Sequence, residues 1–101
     1  MEYMDYALIF KALGDCTRAQ IADMLKGGRK CACRLLEAFN ITQPTLSYHM
    51  KMLVGCGLVL SEKKGKWNYY ALNGEVLQAL VLFLENKAND IECCTDETCE
   101  C

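Results

Sequence analysis

The chain has 101 residues, of which 52% are hydrophobic, and a formal net charge of −2. This composition predicts a single globular domain and excludes a disordered chain. The longest apolar run, residues 76–84, is interrupted by Gln78 and is far shorter than the roughly 20 residues of a membrane-spanning helix. Asp5 and Lys11 interrupt the first apolar segment, so no secretory signal is recognised. We therefore expect a cytoplasmic protein that makes no membrane contact.

The charge is distributed unevenly along the chain. Residues 90–101 contain five acidic residues and no basic one, so residues 1–89 contain 11 basic and eight acidic residues. The body of the protein is therefore mildly basic. Its basic residues are concentrated in GGRKCACR (27–34) and SEKKGKW (61–67), two segments that could bind the phosphates of nucleic acid.

Apolar periodicity and helix-end signals predict five helices. They cover residues 3–13, 16–26, 31–39, 43–57 and 75 to about 87. Asp15 and Thr42 are predicted N-caps of the second and fourth helices, and Pro44 suits the first turn of the fourth. Gly27-Gly28 is expected to end the second helix.

Between the fourth and fifth helices, the periodicity changes to two. LVLSEK (58–63) and KWNYYAL (66–72) flank Lys64-Gly65, which predicts a β-hairpin with a basic tip. The first and last helices are apolar on nearly every side and must be buried, although a chain this short has little interior. These features predict a mainly α-helical winged helix-turn-helix with a β-hairpin wing, forming a homodimer through its first and last helices.

A helix that follows a tight turn and precedes a basic hairpin is placed to enter the major groove of double-stranded operator DNA. Small polar side chains at its N-terminus can contact base edges, and glutamine can bond bidentately to adenine. Two copies would contact half-sites about one helical turn apart. The predicted DNA-binding residues are Thr42, Gln43, Thr45, Ser47, Tyr48, His49, Lys51, Lys63, Lys64 and Lys66. Of these, His49 is interpreted as a structural or phosphate-contacting residue.

Three stretches in order carry a family resemblance: FKALGDCTRAQIADML, CACRLLEAFNITQPTLSYHMKMLVGCGLV and KKGKWNYYAL. With them the chain resembles the arsenic-repressor (ArsR/SmtB) family across nearly its whole length. The resemblance implies a homodimeric repressor of its own operon that leaves DNA when a soft metal or metalloid binds. It also implies that residues 42–51 read the operator. We therefore expect residues 1–89 to be the DNA-binding and dimerisation domain, and residues 90–101 a flexible, acidic, cysteine-rich tail.

Half of the eight cysteines lie in the last nine residues. In a reducing compartment, closely spaced thiols are more often metal ligands or reactive groups than disulfides. Some members of the family that the chain resembles have a C-terminal trio, an adjacent cysteine pair followed by a third. Cys93, Cys94 and Cys99 fit that outline, and Cys101 is a spare ligand. Our first hypothesis is that this trio is the primary As(III) or Sb(III) site.

A second hypothesis uses cysteines in the third helix. The resemblance implies a C-x-C-x-x-C arsenic site there; Cys31 and Cys33 match its first two positions, but the third is Leu36. Since residues i and i+2 point to different sides of a helix, chelation by both would require the first turn to unwind. A third thiol would come from the tail or from Cys16, within one chain or across the dimer. Cys16 replaces the family's usual proline and is interpreted more readily as a semi-buried residue than as a ligand.

The sequence also bears on other sites and function classes. The zinc site that the family carries on its last helix is absent, because the only histidine is His49. Cys56 is interpreted as a packing residue. Alternatives are a Cd(II)-, Pb(II)- or Zn(II)-responsive repressor with a four-sulfur site, a thiol redox-responsive repressor, and a metal-transfer protein. We expect no enzyme and no small-molecule substrate, because there is no C-x-x-C redox pair and no base accompanies any cysteine except the lone His49.

Overall fold

The structure is a computed structural model that describes residues 1–92. Its helices and strands, in chain order, are α1 (Tyr3–Leu13), α2 (Cys16–Leu25), β1 (Lys30–Cys31), α3 (Ala32–Ala38), α4 (Gln43–Gly55), β2 (Val59–Lys64), β3 (Trp67–Leu72) and α5 (Gly74–Asn89). The predicted mainly helical fold with a hairpin wing is confirmed. The tail cysteines fall outside the described residues, and the boundary at residue 89 stays a prediction.

Local capping chemistry sets the helix starts. The Asp15 carboxylate accepts the Arg18 backbone N–H, and the Thr42 hydroxyl accepts the Thr45 backbone N–H, as predicted for the N-caps of α2 and α4. Asn73 caps α5 in the same way through Val76. Pro44 lies in the first turn of α4, where its missing N–H breaks no intrahelical bond. The start of α4, the predicted DNA-reading helix, is therefore set by short-range signals.

One continuous core holds the elements together. It is formed by apolar side chains from all five helices and from the start of β2: Ile9, Ala12, Ile21, Leu25, Leu35, Leu46, Met50, Leu53, Leu58, Val59 and Leu80. The core residues of α1, α2 and α4 are spaced three or four apart, which places them on one face of each helix, while α3 and α5 contribute one core residue each. The opposite face of α4 is left to solvent.

The sheet contains a strand that the sequence did not predict. Lys30–Cys31 pairs antiparallel with β3, so the strand order is β1-β3-β2, with Cys31 opposite Tyr69. The predicted third helix, which began at Cys31, is wrong at that residue: Cys31 has extended backbone and is the N-cap of α3. The hairpin turn also lies one residue later than predicted, with Lys64 opposite Trp67 and Gly65 at φ +62°.

Helices α1 and α5 pack against each other through aromatic rings. The Tyr6 ring stacks on Phe83 with centroids 3.9 Å apart, and the Tyr3 and Phe10 rings lie 6.5 and 6.2 Å from the same ring. Beyond this contact both helices expose large apolar side chains, namely Met4, Leu8, Leu77, Val81, Leu82 and Leu84. A single chain therefore buries only one face of each helix. Among residues 1–92, no helix is long and apolar enough to cross a bilayer.

Candidate DNA-reading surface and thiol site

The outer face of α4 carries the polar side chains predicted to contact DNA. Thr42, Gln43, Thr45, Ser47, Tyr48 and Lys51 are all exposed. The Thr42 hydroxyl donates to Thr45 Oγ1 over 2.9 Å while it accepts the Thr45 N–H. Its hydrogen-bonding capacity is largely used within the cap. The Gln43 amide and the Ser47 hydroxyl make no hydrogen bond to other described residues and remain available for a ligand.

The wing presents three exposed lysines near its tip. Lys64 Nζ lies 3.8 Å from the Glu62 carboxylate, and Lys66 Nζ lies 5.4 Å from the centre of the Trp67 ring. Lys63 forms no ion pair with the described residues. All three lysines are exposed, and Lys66 lines a cavity together with Gln43 of α4, so the predicted basic hairpin tip is present.

His49, on α4, lies away from this surface. Its side chain is only 12% exposed, and its Nδ1 atom accepts a hydrogen bond from Arg18 Nη1 over 3.1 Å. Arginine can only donate, so this contact fixes the tautomer with the proton on Nε2. The Asp15 carboxylate lies 3.9 Å from the same Nδ1 atom, and the pKa of Asp15 is lowered, first by the Arg18 backbone N–H. Of the two roles predicted for His49, these contacts describe the structural one.

Arg18 is the residue that joins these elements, and sequence reasoning missed it. Its side chain is buried, and its Nε donates to the Ala12 carbonyl oxygen at the end of α1 over 2.6 Å. With the His49 bond, one guanidinium links α1, α2 and α4. The signal was available: position 18 lies three residues before Ile21 and seven before Leu25, on the buried stripe of α2.

The Cys31 and Cys33 thiols already face each other. Their Sγ atoms lie 2.7 Å apart, and the Cys33 backbone N–H donates to Cys31 Sγ over 3.4 Å. The expectation that the first helical turn must unwind to bring them together is therefore wrong. Because Cys31 precedes α3 as its extended N-cap, its side chain folds back over the first turn to meet Cys33.

This pair opens into a cavity of about 220 Å³ between α3, α4 and the wing. The cavity is lined by Cys31, Ala32, Cys33, Leu36, Gln43, Leu46, Lys66, Trp67 and Asn68. The thiols thus share one space with the first residue of α4 and with the tip of the wing. Trp67 is the only tryptophan in the chain, so its fluorescence can report on this cavity.

A second connection runs from the thiols to the wing through the sheet. Arg29, just before β1, places its guanidinium carbon 4.6 Å from the centre of the Tyr69 ring on β3. The same side chain pairs with the Glu62 carboxylate on β2 over 3.2 Å. Arg29 belongs to the basic GGRKCACR segment. Its side chain links the β1 segment to both strands of the wing.

The two thiols differ in acidity. The hydrogen bond from the Cys33 thiol, then that from the Cys33 backbone, lowers the pKa of Cys31 below its ordinary value of 9.0. The same thiol–thiol bond raises the pKa of Cys33. Cys31 is therefore the more acidic thiol of the pair, and it forms the thiolate, the nucleophile and metal ligand, more readily than Cys33.

We expect iodoacetamide to alkylate Cys31 before Cys33, with a rate midpoint below pH 9.0, because only the thiolate reacts. Replacing the donor, in Cys33→Ala, should move that midpoint to higher pH. Mass spectrometry of peptides from a pH series would give both rates. Equal rates at the two cysteines would contradict the assignment of Cys31 as the more acidic thiol.

The remaining cysteines do not complete a ligand set within the described residues. Cys16, the first residue of α2, is exposed, so its semi-buried interpretation is wrong. Cys56 is half-buried against the core and donates to the Leu53 carbonyl over 3.2 Å, which confirms its packing role. Residues 1–92 contain no cluster of three histidine, cysteine or acidic side chains that could hold a metal ion. A third ligand for the Cys31/Cys33 pair would have to come from elsewhere.

The chain is similar to known regulatory proteins. A model of the arsR family of bacterial regulatory proteins matches residues 15–61. The arsenical resistance operon repressor of Staphylococcus xylosus is 43% identical over 101 residues, which is all of this chain and 92% of that protein.

Solved structures agree on the fold. An ArsR-like transcriptional regulator from Rhodococcus sp. RHA1 superposes with a TM-score of 0.77 at 30% identity, covering 87% of this chain and 83% of the other. A homodimeric winged helix-turn-helix DNA-binding domain from Mycobacterium bovis gives a TM-score of 0.68 at 28% identity, covering 87% and 82%. These matches confirm the predicted winged helix-turn-helix architecture.

Proposed function

Since the chain belongs to the arsR family of bacterial regulatory proteins, we propose that it is a homodimeric repressor that releases operator DNA when As(III) or Sb(III) binds cysteine thiolates. Dimerisation would cover exposed apolar side chains of α1 and α5 such as Met4, Val81 and Leu82. A homodimeric relative of the same fold supports this arrangement. Such a repressor would act in the cytoplasm, where thiols remain reduced.

One observation carries the metalloid proposal: two contacting thiols open into a cavity that both DNA-reading elements line. Trivalent arsenic and antimony are soft ions, and thiolates are the soft ligands of proteins. Cys31 and Cys33 would supply two sulfurs without rearrangement of α3. The third would come from Cys16 of the partner subunit or from the tail trio of Cys93, Cys94 and Cys99, with Cys101 in reserve. The tail trio acting alone stays the competing proposal.

Binding at this pair would reach DNA through short paths. Gln43 opens α4 and lines the same cavity as the thiols, while Lys66 and Trp67 bring the wing tip to it. An ion held there would shift these side chains. It would also change the pairing of β1 with β3. An allosteric coupling of about 1–3 kcal/mol would weaken DNA binding roughly 5–150-fold. This is enough to relieve repression.

The direct test is to titrate the reduced protein, bound to a fluorescent fragment of its own upstream region, with arsenite, antimonite and cadmium. DNA anisotropy and Trp67 emission are recorded together. Under the proposal, both signals change over the same concentration range for the metalloids. Protein that retains its DNA under saturating metalloid would contradict the proposal. A change with cadmium alone would select the divalent-metal repressor with a four-sulfur site.

The DNA-reading roles can be separated by two substitutions. We expect Gln43→Ala to weaken operator binding by roughly 5–150-fold and to relax specificity at one base pair. Lys63→Gln should weaken all DNA equally and reduce the salt-dependence slope by roughly 0.9, because one phosphate contact is lost. The matched control is Lys26→Gln, a lysine paired with Asp23 on α2. Anisotropy titrations at several salt concentrations on operator and scrambled DNA measure these effects; equal losses for all three variants would contradict the assignment.

The contact between the two sulfurs also favours a second candidate, a repressor that responds to thiol oxidation. A peroxide would convert the Cys31 thiolate to a sulfenic acid, releasing an alcohol or water. The Cys33 thiol would then form the disulfide with loss of water. DNA release by peroxide with no release by arsenite would select this function over metalloid sensing. A metal-transfer protein, by contrast, would bind arsenite and show no preference for operator DNA.

A further inference from the structure

A second cavity lies on the other side of α4, away from the thiols. It has a volume of about 490 Å³ and lies between α1 and α4. Its lining residues are Leu8, Lys11, Tyr48, Lys51, Met52, Gly55 and Cys56. Small-molecule sites typically occupy about 300–1,000 Å³ and combine apolar walls with a few polar groups. The size and lining of this groove match that description.

The chemistry of the lining selects the ligand class. Leu8, Met52 and the Tyr48 ring give apolar walls, while Lys11 and Lys51 are its two charged groups. Neither lysine forms an ion pair within residues 1–92. No acidic side chain lines the groove, so a cation would be repelled, whereas an anion would gain an attraction to both ammonium groups that a neutral apolar molecule lacks.

We propose that this groove binds a small amphipathic organic anion, an aromatic carboxylate or sulfonate, and that its occupation weakens DNA binding. The rings would lie against the apolar walls, and the anionic group would lie between the two ammonium groups. Lys51 also belongs to the proposed DNA-reading face, so a bound anion competes with a DNA phosphate for it. The binding site itself does not depend on metalloid sensing; only the effect on DNA rests on the proposed function.

The chain offers a way to fill the groove. A side chain added at Gly55 meets no atom within 4 Å at its Cβ position, and the backbone there is helical. Because Gly55 lines the groove, Gly55→Leu adds apolar volume at its wall without a clash at the Cβ position. Gly74, at the start of α5, has the same free space and lies outside the groove, so Gly74→Leu is the matched control.

The probe is anilinonaphthalene sulfonate, an aromatic sulfonate whose fluorescence rises on binding. We expect saturable binding of one dye per chain, a loss of at least tenfold in affinity for Gly55→Leu, and no change for Gly74→Leu. Lys11→Gln should weaken binding roughly two- to fivefold, the usual effect of one exposed ion pair. Saturating dye should weaken operator binding by the wild type but not by Gly55→Leu.

Other outcomes would overturn the proposal. Equal dye affinity in Gly55→Leu and the wild type would place the dye on the exposed apolar face of α1 and α5. No dye binding, together with weaker dimerisation of Gly55→Leu in sedimentation, would show that a second copy of the chain covers the groove. Binding without any change in DNA affinity would overturn the regulatory part. Failure of arsenite to release DNA affects none of these readouts.

Discussion

Replacing Cys31 and Cys33 together with serine is expected to remove most of the roughly 5–150-fold weakening of operator binding that arsenite should cause. The physical reason is that a hydroxyl is a hard, neutral ligand, while a trivalent metalloid is held by thiolates. Basal DNA affinity should persist, because serine is a good N-cap and preserves the start of α3 at residue 31. Anisotropy titration of the operator complex measures both quantities.

Measuring the tail variant Cys93→Ser/Cys94→Ser beside the Cys31/Cys33 double variant decides between the two hypotheses for the metalloid site. Loss of response only in the Cys31/Cys33 variant assigns the pair as the site. Loss only in the tail variant assigns the tail trio and contradicts our proposal. Loss in both indicates that the pair and the tail share one ion. Cys56→Ser is the control, since that thiol packs at the end of α4 and lies outside the thiol cavity.

Replacing Arg18 with methionine is expected to lower the free energy of unfolding by about 2–3 kcal/mol. The change leaves the Ala12 carbonyl oxygen and the His49 Nδ1 atom without their donors, and a polar group left unpaired in the interior costs about 1–3 kcal/mol. Methionine preserves much of the packing volume, so the loss would report the hydrogen bonds. Urea unfolding at fixed protein concentration is the measurement, because dimerisation makes stability concentration-dependent.

Two further variants isolate the geometry of the guanidinium. Arg18→Lys keeps the charge but cannot reach both acceptors, so an intermediate loss is expected. Arg34→Met removes an exposed arginine from α3 and should change stability by less than about 0.5 kcal/mol. If Arg18→Met unfolds at the same urea concentration as Arg34→Met, the buried linkage contributes no stability.

Sequence spacing predicts which cysteines form the thiol site, and the fold sets their orientation. Cys31 and Cys33 were candidates because of their sequence, but their mutual orientation depended on whether residue 31 was helical. A two-residue strand gives too weak a periodic signal to predict, and it exists because β3 offers a free edge beside it. That pairing holds Cys31 extended and turns its sulfur towards Cys33.

The order of helices, the hairpin, the caps at Asp15 and Thr42, and the polar outer face of α4 could all be predicted from the sequence. These features depend on contacts between residues close together in the chain, and periodicity and capping chemistry record such contacts. Three other features could be seen only in the folded chain. Arg18 joins α1 to His49, and the thiol pair shares a cavity with Gln43 and Trp67. A groove also opens between α1 and α4. Each of these joins residues from different elements, and their meeting is fixed by packing of the common core.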